Sequence, residues 1–575
     1  MQNRGADSPM SASSEGRRGI ARTLGDRLLP RASDYRPFAR HWRVDITAGI
    51  TVAIVALPLA LAFGISSGVS AAAGLVTAVV AGLVAAVFGG SNVQVSGPTG
   101  AMAVVLAPVV AVHGAGSVPL LALMAGILLL FMGLLGLGRV VSLIPWTVVE
   151  GFTLGIGIII FLQQVPMAFG TTATIGMNPV LAAGESIGRA DWSVAWQTLL
   201  VVAVTWALIL VLPRVHRAIP ASLIAVAAAT ALVVLVDMPV PRIGELPTAL
   251  PAPSIPAFDL GSLSALIAPA ISIALLAAIE SLLSARVASR MADTGHYNPD
   301  RELSGQGLAS IASGLFGGMP ATGAIARTAV NVRSGARSRA SAIVHALILL
   351  VVIYLGAALV SEIPLAALAG VLMATAIRMV SPLTIKAVMR ATRADALIFF
   401  ATAGITVAFD LIVAVEIGLV ATAIFALKHL ADQAGVRREE LPGDRVEGDE
   451  RIALVRIDGA MFFGAAERLR RQFEDLTGIE VVIIRLSHLS GLDATGANAL
   501  VEIIETFEQR GVTVLIKGLH PRYQQVAKAL GVYDALRDER HVRASLEDAV
   551  DHARSHIRRG PWRAPGGGRE PEPAD

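Results

Sequence analysis

The chain has 575 residues, of which 54% are hydrophobic and 16% charged, whereas average soluble proteins carry roughly 25% charge. It contains no cysteine, which excludes disulfides, thiol catalysis and cysteine-ligated zinc or iron–sulfur centres. The net charge of +3 is unevenly spread: charges are sparse from Val44 to Leu430 and dense at both ends, the pattern of an apolar body in lipid with wet ends.

Residues 1–43 hold nine arginines against four acids, with no short apolar core and cleavage site after them, so they read as a cytosolic arm. A transmembrane domain over 44–432 follows. A membrane span needs about 20 mostly apolar residues. Fourteen candidate elements lie near 44–64, 70–88, 98–113, 118–138, 140–163, 195–213, 218–237, 262–284, 304–318, 322–335, 340–361, 364–382, 394–410 and 411–430. The third, ninth and tenth are too short to cross alone. With the N-terminus inside, the cytoplasmic connections gather Arg139, Arg214, Arg217, Arg286, Arg290, Arg301, Arg333, Arg337, Arg339, Lys386, Arg390 and Arg393, and the outer ones only Arg189 and Arg242. This lopsided distribution predicts an even number of elements, a multi-pass protein of the plasma (inner) membrane and both termini in the cytoplasm.

An internal repeat is visible. Phe88-Gly89-Gly90 precedes Pro98-Thr99-Gly100, and Phe316-Gly317-Gly318 precedes Pro320-Ala321-Thr322-Gly323. The copies fall in the third and tenth elements, seven apart, so they have opposite membrane orientations. Paired Gly/Pro-interrupted segments of this kind point to a transporter site. Neither proline has an N–H to donate, so a helix is expected to begin just after each. Two helix N-termini meeting near the midplane would present unpaired N–H groups and partial positive charge, a ready anion site without a metal.

The run Phe316 to Arg333, FGGMPATGAIARTAVNVR, resembles the tenth-span signature of the SulP sulfate-permease family. Asp45-Ile46-Thr47-Ala48-Gly49, Ala56 to Gly64, Gly97 to Gly100 and Ala278 to Ser284 are similar to the same family, nearest to its bacterial bicarbonate and sulfate branch. The resemblance covers most of residues 40–555. It implies a seven-plus-seven inverted repeat, a core domain moving against a gate domain, and homodimers. It also implies substrate contacts at Ala62, Phe63, Thr99, Gly323, Ala324 and Ile325, with Arg327 nearby, and a coupling-cation site at Glu280, Ser284 and the backbone near Gly323. The sodium-coupled branch has an aspartate where this chain has Glu280, and threonines where it has Ser284 and Ile325. The loss of hydroxyl oxygen at Ile325 shifts the expected coupling ion from Na+ toward H+.

Taken singly, Glu280 is a functional candidate because ionisable groups inside membranes rarely serve packing alone. Arg327, four residues beyond Gly323, adds a full charge to the tenth element; the bland alternative is a cytoplasmic anchor. Thr99 suits a helix cap or a substrate donor. Glu150 is expected in a structural or gate-side role, His113 and His345 in packing, and Asp410 and Glu416 in solvent. No His/Asp/Glu set shows metal-ligand spacing, and no nucleophile–base pair suggests an enzyme.

Beyond a charged linker at 433–449, the β-like runs Arg451–Ile457, Glu480–Leu486 and Val512–Lys517 alternate with helix-like stretches near 465–477, 495–509 and 521–530. Residues 450–555 resemble a STAS domain, with its landmark at Asp493, Thr495 and Gly496. The position that is phosphorylated in related regulators is Ala494 here, which has no hydroxyl. Assembly with a cytosolic partner is expected there ahead of a nucleotide or phosphate. Residues 556–575 read as a disordered tail. The fold class is therefore a polytopic α-helical membrane protein with a small cytosolic α/β domain. The expected activity is cation-coupled transport of a small inorganic anion. A dicarboxylate or nucleobase carrier, or an uncoupled anion exchanger or channel, is the alternative. Nucleic acid and organic cofactors have no place in it.

Overall fold

The computed structural model describes residues 35–141, 145–171, 177–216, 220–257, 260–292, 297–408, 435–462 and 476–559, with a few isolated positions besides. The chain divides into two compact units, Met1–Leu419 and Val420–Asp575.

The first unit opens with α1 (Arg36–Ser66), which has a proline in its first turn, where the missing N–H costs nothing. In α2 (Ala71–Phe88) the Ser70 hydroxyl accepts from the Ala73 N–H and caps the start. After the two-residue strand β1 (Ser96–Gly97) come α3 (Gly100–His113) and α4 (Val118–Leu135), the latter closed by Gly136 in the left-handed conformation. Next are α5 (Trp146–Gln163), α6 (Pro179–Gly188), α7 (Trp192–Val215) and α8 (Ala221–Val236). The second half holds α9 (Leu260–Met291), α10 (Pro299–Leu315), β2 (Thr322–Gly323), α11 (Ile325–Arg333), α12 (Ala340–Ser361), α13 (Leu365–Met379), α14 (Pro382–Arg390) and α15 (Arg393–Ala408).

Among the described residues, eight helical stretches are long and apolar enough to cross a membrane, and Gly100–His113 and Ala221–Val236 are apolar but shorter. Thirteen of the fourteen apolar stretches named from sequence fall on helices. The fourteenth, 411–430, lies almost wholly outside the described residues, as do Asp410 and Glu416. The helices depart from these stretches in several places. Helix α1 begins inside the stretch read as an N-terminal arm. The element placed at 140–163 is divided ahead of Trp146, where Pro145 is extended and α5 begins. Helices α6 and α14 appear where none was anticipated, because they are short and only partly apolar.

Two bundles form. In one, α1, α2 and α12 pack together, α10 packs on α2 and α4, and α9 packs on α4 and α11; in the other, α5 packs on α13 and α15, and α7 on α8 and α13. Buried carboxylates hold the irregular backbone of the first bundle. Glu302 accepts from the N–H groups of Gly90 (2.7 Å) and Ser91 (2.9 Å), and Asp45 from those of Arg337 (2.7 Å) and Ser338 (3.1 Å). Such groups would otherwise be unpaired inside the membrane, at a cost of several kcal/mol each.

The second unit is a mixed sheet with helices on both faces. Its elements are β3 (Gly435–Glu439), β4 (Ile452–Met461), β5 (Val481–Arg485), β6 (Leu489–Leu492), α16 (Ala494–Gln509), β7 (Thr513–Lys517), α17 (Pro521–Ala529), β8 (Val542–Arg543) and α18 (Leu546–Arg559). The strand order is β3-β4-β5-β7-β8, with β6 beside β4; β3 is antiparallel to β4 and the rest are parallel. Side chains alternate with period two: Val455, Val482, Ile484, Val514 and Ile516 pack with α16, while Leu454, Ile483 and Leu515 pack with Ala549, Val550 and Ala553 of α18. Strand β3 and helix α18 revise the sequence boundaries, since they occupy part of the stretches read as linker and tail. Charge disguised β3: its Glu439 lies 2.5 Å from Arg456 and 2.9 Å from Arg485, cross-strand pairs that look like solvated linker in sequence. The stretch 465–477 lies mostly outside the described residues.

Candidate functional site

The two interrupted segments meet in the first unit. Strands β1 and β2 pair antiparallel, Ser96 opposite Gly323 and Gly97 opposite Thr322. The Ala324 N–H donates to Val95 O at 2.9 Å, and the Val95 N–H to Thr328 Oγ1 at 3.0 Å. The short crossing thus satisfies its own backbone and launches α3 and α11 from one place.

The starts differ. Pro98 stands directly before Thr99, the residue capping α3; its hydroxyl accepts from Met102 N–H at 3.4 Å. Pro320 does not start a helix. Beyond Ala321, Thr322 and Gly323 are spent on β2, and α11 begins only at Ile325, after Ala324, which has no capping side chain. The expectation of a helix right after each proline therefore holds for one copy only. Strand pairing claims the backbone N–H and C=O groups in the other.

Between the copies sits Glu280 of α9. Its Oε2 accepts hydrogen bonds from Thr99 Oγ1 (2.9 Å) and Thr322 Oγ1 (2.6 Å), and the two hydroxyl oxygens lie 3.2 Å apart. The next residue, Ser281, accepts from the Gly323 N–H at 3.0 Å. Arg327 of α11 is 2% exposed. Its Nη2 donates to Pro98 O at 2.6 Å, and its Nη1 is buried with no hydrogen-bond partner. Arg327 is thus not an exposed anchor. It crosses from one copy to the backbone of the other. Gly97, at φ +148°, makes room: a Cβ there would lie 2.9 Å from Arg327 Nη1.

A cavity of about 530 Å³ opens beside these groups, at the seam of the two bundles. Phe63, Thr99, Glu280, Ala324, Ile325 and Arg327 line it from one side; Trp146, Glu150, Thr153, Thr375 and Arg378 line it from the other, with Arg286 and Arg290 also on its wall. Of the residues named from sequence, Ala62 is buried outside this lining and Gly323 is engaged in β2. Ser284 turns instead to Thr328, 3.2 Å away between hydroxyl oxygens, so it does not share a centre with Glu280. Thr322 was missed although it stands in the repeated string itself. Glu150 accepts from Trp146 Nε1 at 3.0 Å on the opposite wall. His345 is buried in α12, as expected, but His113 is exposed at the end of α3.

In the second unit, Asp493 caps α16, its Oδ1 accepting from the Gly496 N–H at 2.7 Å. A Cβ on Gly496 would lie 2.0 Å from Met461 O, and Thr495 is exposed. The landmark residues Asp493 and Gly496 thus have packing and capping roles. The reading that no set of side chains has metal-ligand spacing needs correction. His541, His552 and His556 bring one ring nitrogen each within 4.8 Å of one another. The i, i+4 spacing of His552 and His556 was visible; only the fold brings in His541.

Comparison with known proteins agrees across the chain. Residues 42–402 match the Sulfate permease family, and residues 445–549 match the STAS domain. The "Putative sulfate transporter YvdB" of Bacillus subtilis is 32% identical over 86% of this chain and 94% of its own. The bicarbonate transporter BicA of Picosynechococcus sp. is 31% identical over 89% of this chain and 95% of its own. Among solved structures, the transmembrane domain of a cyanobacterial BicA covers 69% of this chain and 100% of its own at TM-score 0.60 and 31% identity. SLC26A9 covers 96% and 97% at TM-score 0.80 and 17% identity, a likeness of fold alone.

Proposed function

Since the chain belongs to the sulfate permease family of membrane anion transporters, we propose that it carries a small oxyanion of the sulfate or bicarbonate type by alternating access, coupled to a cation. The observation that carries this reading is the buried Arg327, with one guanidinium nitrogen unpartnered, beside an uncapped α11 N-terminus on the wall of the cavity. The first N–H groups of α11 have neither intrahelical partners nor a capping side chain, so they and the arginine favour negative charge. An anion there would sit beside Glu280, and a bare carboxylate would repel it. A proton taken up by Glu280, or a sodium ion held by Glu280, Thr99 and Thr322, removes that repulsion and ties anion entry to cation entry. We favour the proton: Ile325 offers no side-chain oxygen, and Ser284 is engaged with Thr328.

Arg286, Arg290 and Arg378 also line the cavity, and because arginines are expected to gather on the cytoplasmic side they support reading this conformer as open to the cytoplasm. Movement of the α1–α4 and α9–α12 bundle against the other would close that side. We further propose fourteen membrane elements, a plasma-membrane location, cytoplasmic termini and a homodimer. The second unit (domain boundary 450–555) would serve assembly or a cytosolic partner, because the Asp493 carboxylate already occupies the start of α16 and disfavours a phosphate.

Purified full-length protein in proteoliposomes tests this. Radiolabelled sulfate and bicarbonate uptake is measured with proton, sodium and counter-anion gradients imposed one at a time. Acceleration by an inward proton gradient is expected. Dependence on internal anion alone would establish an exchanger, and uptake of a nucleobase or dicarboxylate in preference would replace the substrate class.

A further inference from the structure

The C-terminal unit contains three histidines drawn together from separate elements. His541 ends the 3₁₀ turn Glu539–His541 that leads into β8, and His552 and His556 sit one turn apart on α18. Their ring centroids are separated by 5.8, 5.4 and 4.9 Å. His541 is 5% exposed, and its Nδ1 is buried without a hydrogen-bond partner. The Nε2 atoms of His552 and His556 are 3.4 Å apart. A tetrahedral zinc with nitrogen ligands at about 2.0–2.1 Å places those nitrogens about 3.3–3.4 Å from one another. Two of the three rings therefore already hold the required spacing, and the third offers an orphaned buried nitrogen.

We propose that His541, His552 and His556 form a binding site for a divalent borderline metal ion, zinc in particular, that fastens α18 to the sheet. Neutral imidazoles suit zinc, copper and nickel, whereas calcium and magnesium need oxygen ligands. Three ligands leave a fourth position for water, because the pocket faces outward past the half-buried His552 and His556.

The surroundings are compatible with added positive charge. Arg543 is held by Asp548 at 3.3 Å, Arg540 by Asp538 at 2.7 Å and Arg537 by Glu508. Arg559 is the remaining cation acting on the cluster, and Asp538 and Asp548 act on it with the opposite sign. The neutral form of imidazole is the one that binds such an ion. Helix α18 buries Ala549, Val550, Ala553 and Ile557 against the sheet. Metal bound only by the folded form would add to that docking by mass action.

Full-length protein without a histidine tag, purified in detergent and stripped with chelator, is titrated with zinc chloride against a chromophoric chelator. One zinc per chain is expected. The half-exposed ligands are replaced in His552→Ala/His556→Ala. Loss of an outer-shell partner alone weakens metal binding about 10–100-fold, so removal of two direct ligands should weaken it at least about 100-fold. Cobalt bound in zinc's place should give the intense visible absorption of a four-coordinate centre in the native chain and not in the variant. Zinc should also raise the unfolding midpoint of the native chain alone. No saturable zinc binding by the native chain, or equal binding by the variant, would overturn the site, leaving the His552–His556 contact as a hydrogen bond between tautomers.

Discussion

Helices α3 and α11 leave the same two-stranded crossing, yet they are built on opposite plans. Helix α3 is apolar, follows Pro98 and is capped by Thr99. Helix α11 starts at Ile325, after Ala324, which offers no cap, and carries Arg327 in its first turn. One copy is finished as a structural helix end; the other is left with open N–H groups and a buried guanidinium. An inverted repeat gives two similar helix ends, and the difference teaches that this chain concentrates its positive charge on one of them. Glu280 touches both copies through Thr99 and Thr322, so it can report on either.

The strongest challenge to the asymmetry is Glu280→Gln. It preserves size and most hydrogen bonding but removes the charge that both hydroxyls address. Gradient-driven uptake in proteoliposomes should vanish, while membrane insertion and gel-filtration profile stay native. Normal proton- or sodium-driven uptake would show that coupling lies elsewhere, and Glu150, on the far wall, becomes the next carboxylate to replace.

Arg327→Ala should follow in size. A hydrogen bond to a charged group is worth about 1.5–3 kcal/mol, so the half-saturating anion concentration should rise about 10- to 100-fold, at 1.4 kcal/mol per tenfold. Arg327→Lys keeps the charge but loses the fork that reaches Pro98 O, and should fall between. An unchanged affinity in Arg327→Ala would leave the arginine a strut between the two copies.

Gly97→Ala probes the same group from the α3 side. The backbone there is at φ +148°, and a Cβ would press on Arg327 Nη1. The strain alone costs about 1–3 kcal/mol. Lower thermal stability and a several-fold loss of affinity are expected together. Lower stability with native affinity would mean that Gly97 serves the crossing and not the arginine.

Much of this was legible because composition is a strong signal in a membrane. Apolar runs place thirteen helices, and the Arg/Lys bias supplies an expected orientation for them. The Phe-Gly-Gly and Pro-(Ala)-Thr-Gly strings mark where the halves meet. What they could not show is the register of that meeting. Two-residue strands have no periodicity, so nothing warned that Thr322 and Gly323 would be used in pairing and that α11 would start late. The family resemblance places Ser284 beside Glu280, yet Thr328 on a neighbouring helix takes its hydroxyl. The anchor reading of Arg327 stays open until Pro98 O is seen to accept from it. In the second unit the hydrophobic alternation announces the sheet, whereas β3 hides behind its ion pairs and the three histidines converge only once α18 is laid across the strands.

The mildest test separates the two threonines. Thr99→Val removes the cap of α3 and one donor to Glu280; Thr322→Val removes a donor alone. Loss of a cap costs about 1 kcal/mol of stability, so Thr99→Val should lower the unfolding midpoint more than Thr322→Val does. Both should shift the external pH at half-maximal uptake the same way. Each hydroxyl donates to the same Oε2 of Glu280, so the loss of either acts on one carboxylate. A shift from one threonine only would mean that the paired hydroxyls are not equivalent partners. Thr99→Ser, which keeps the hydroxyl, should restore both the cap and the native pH profile.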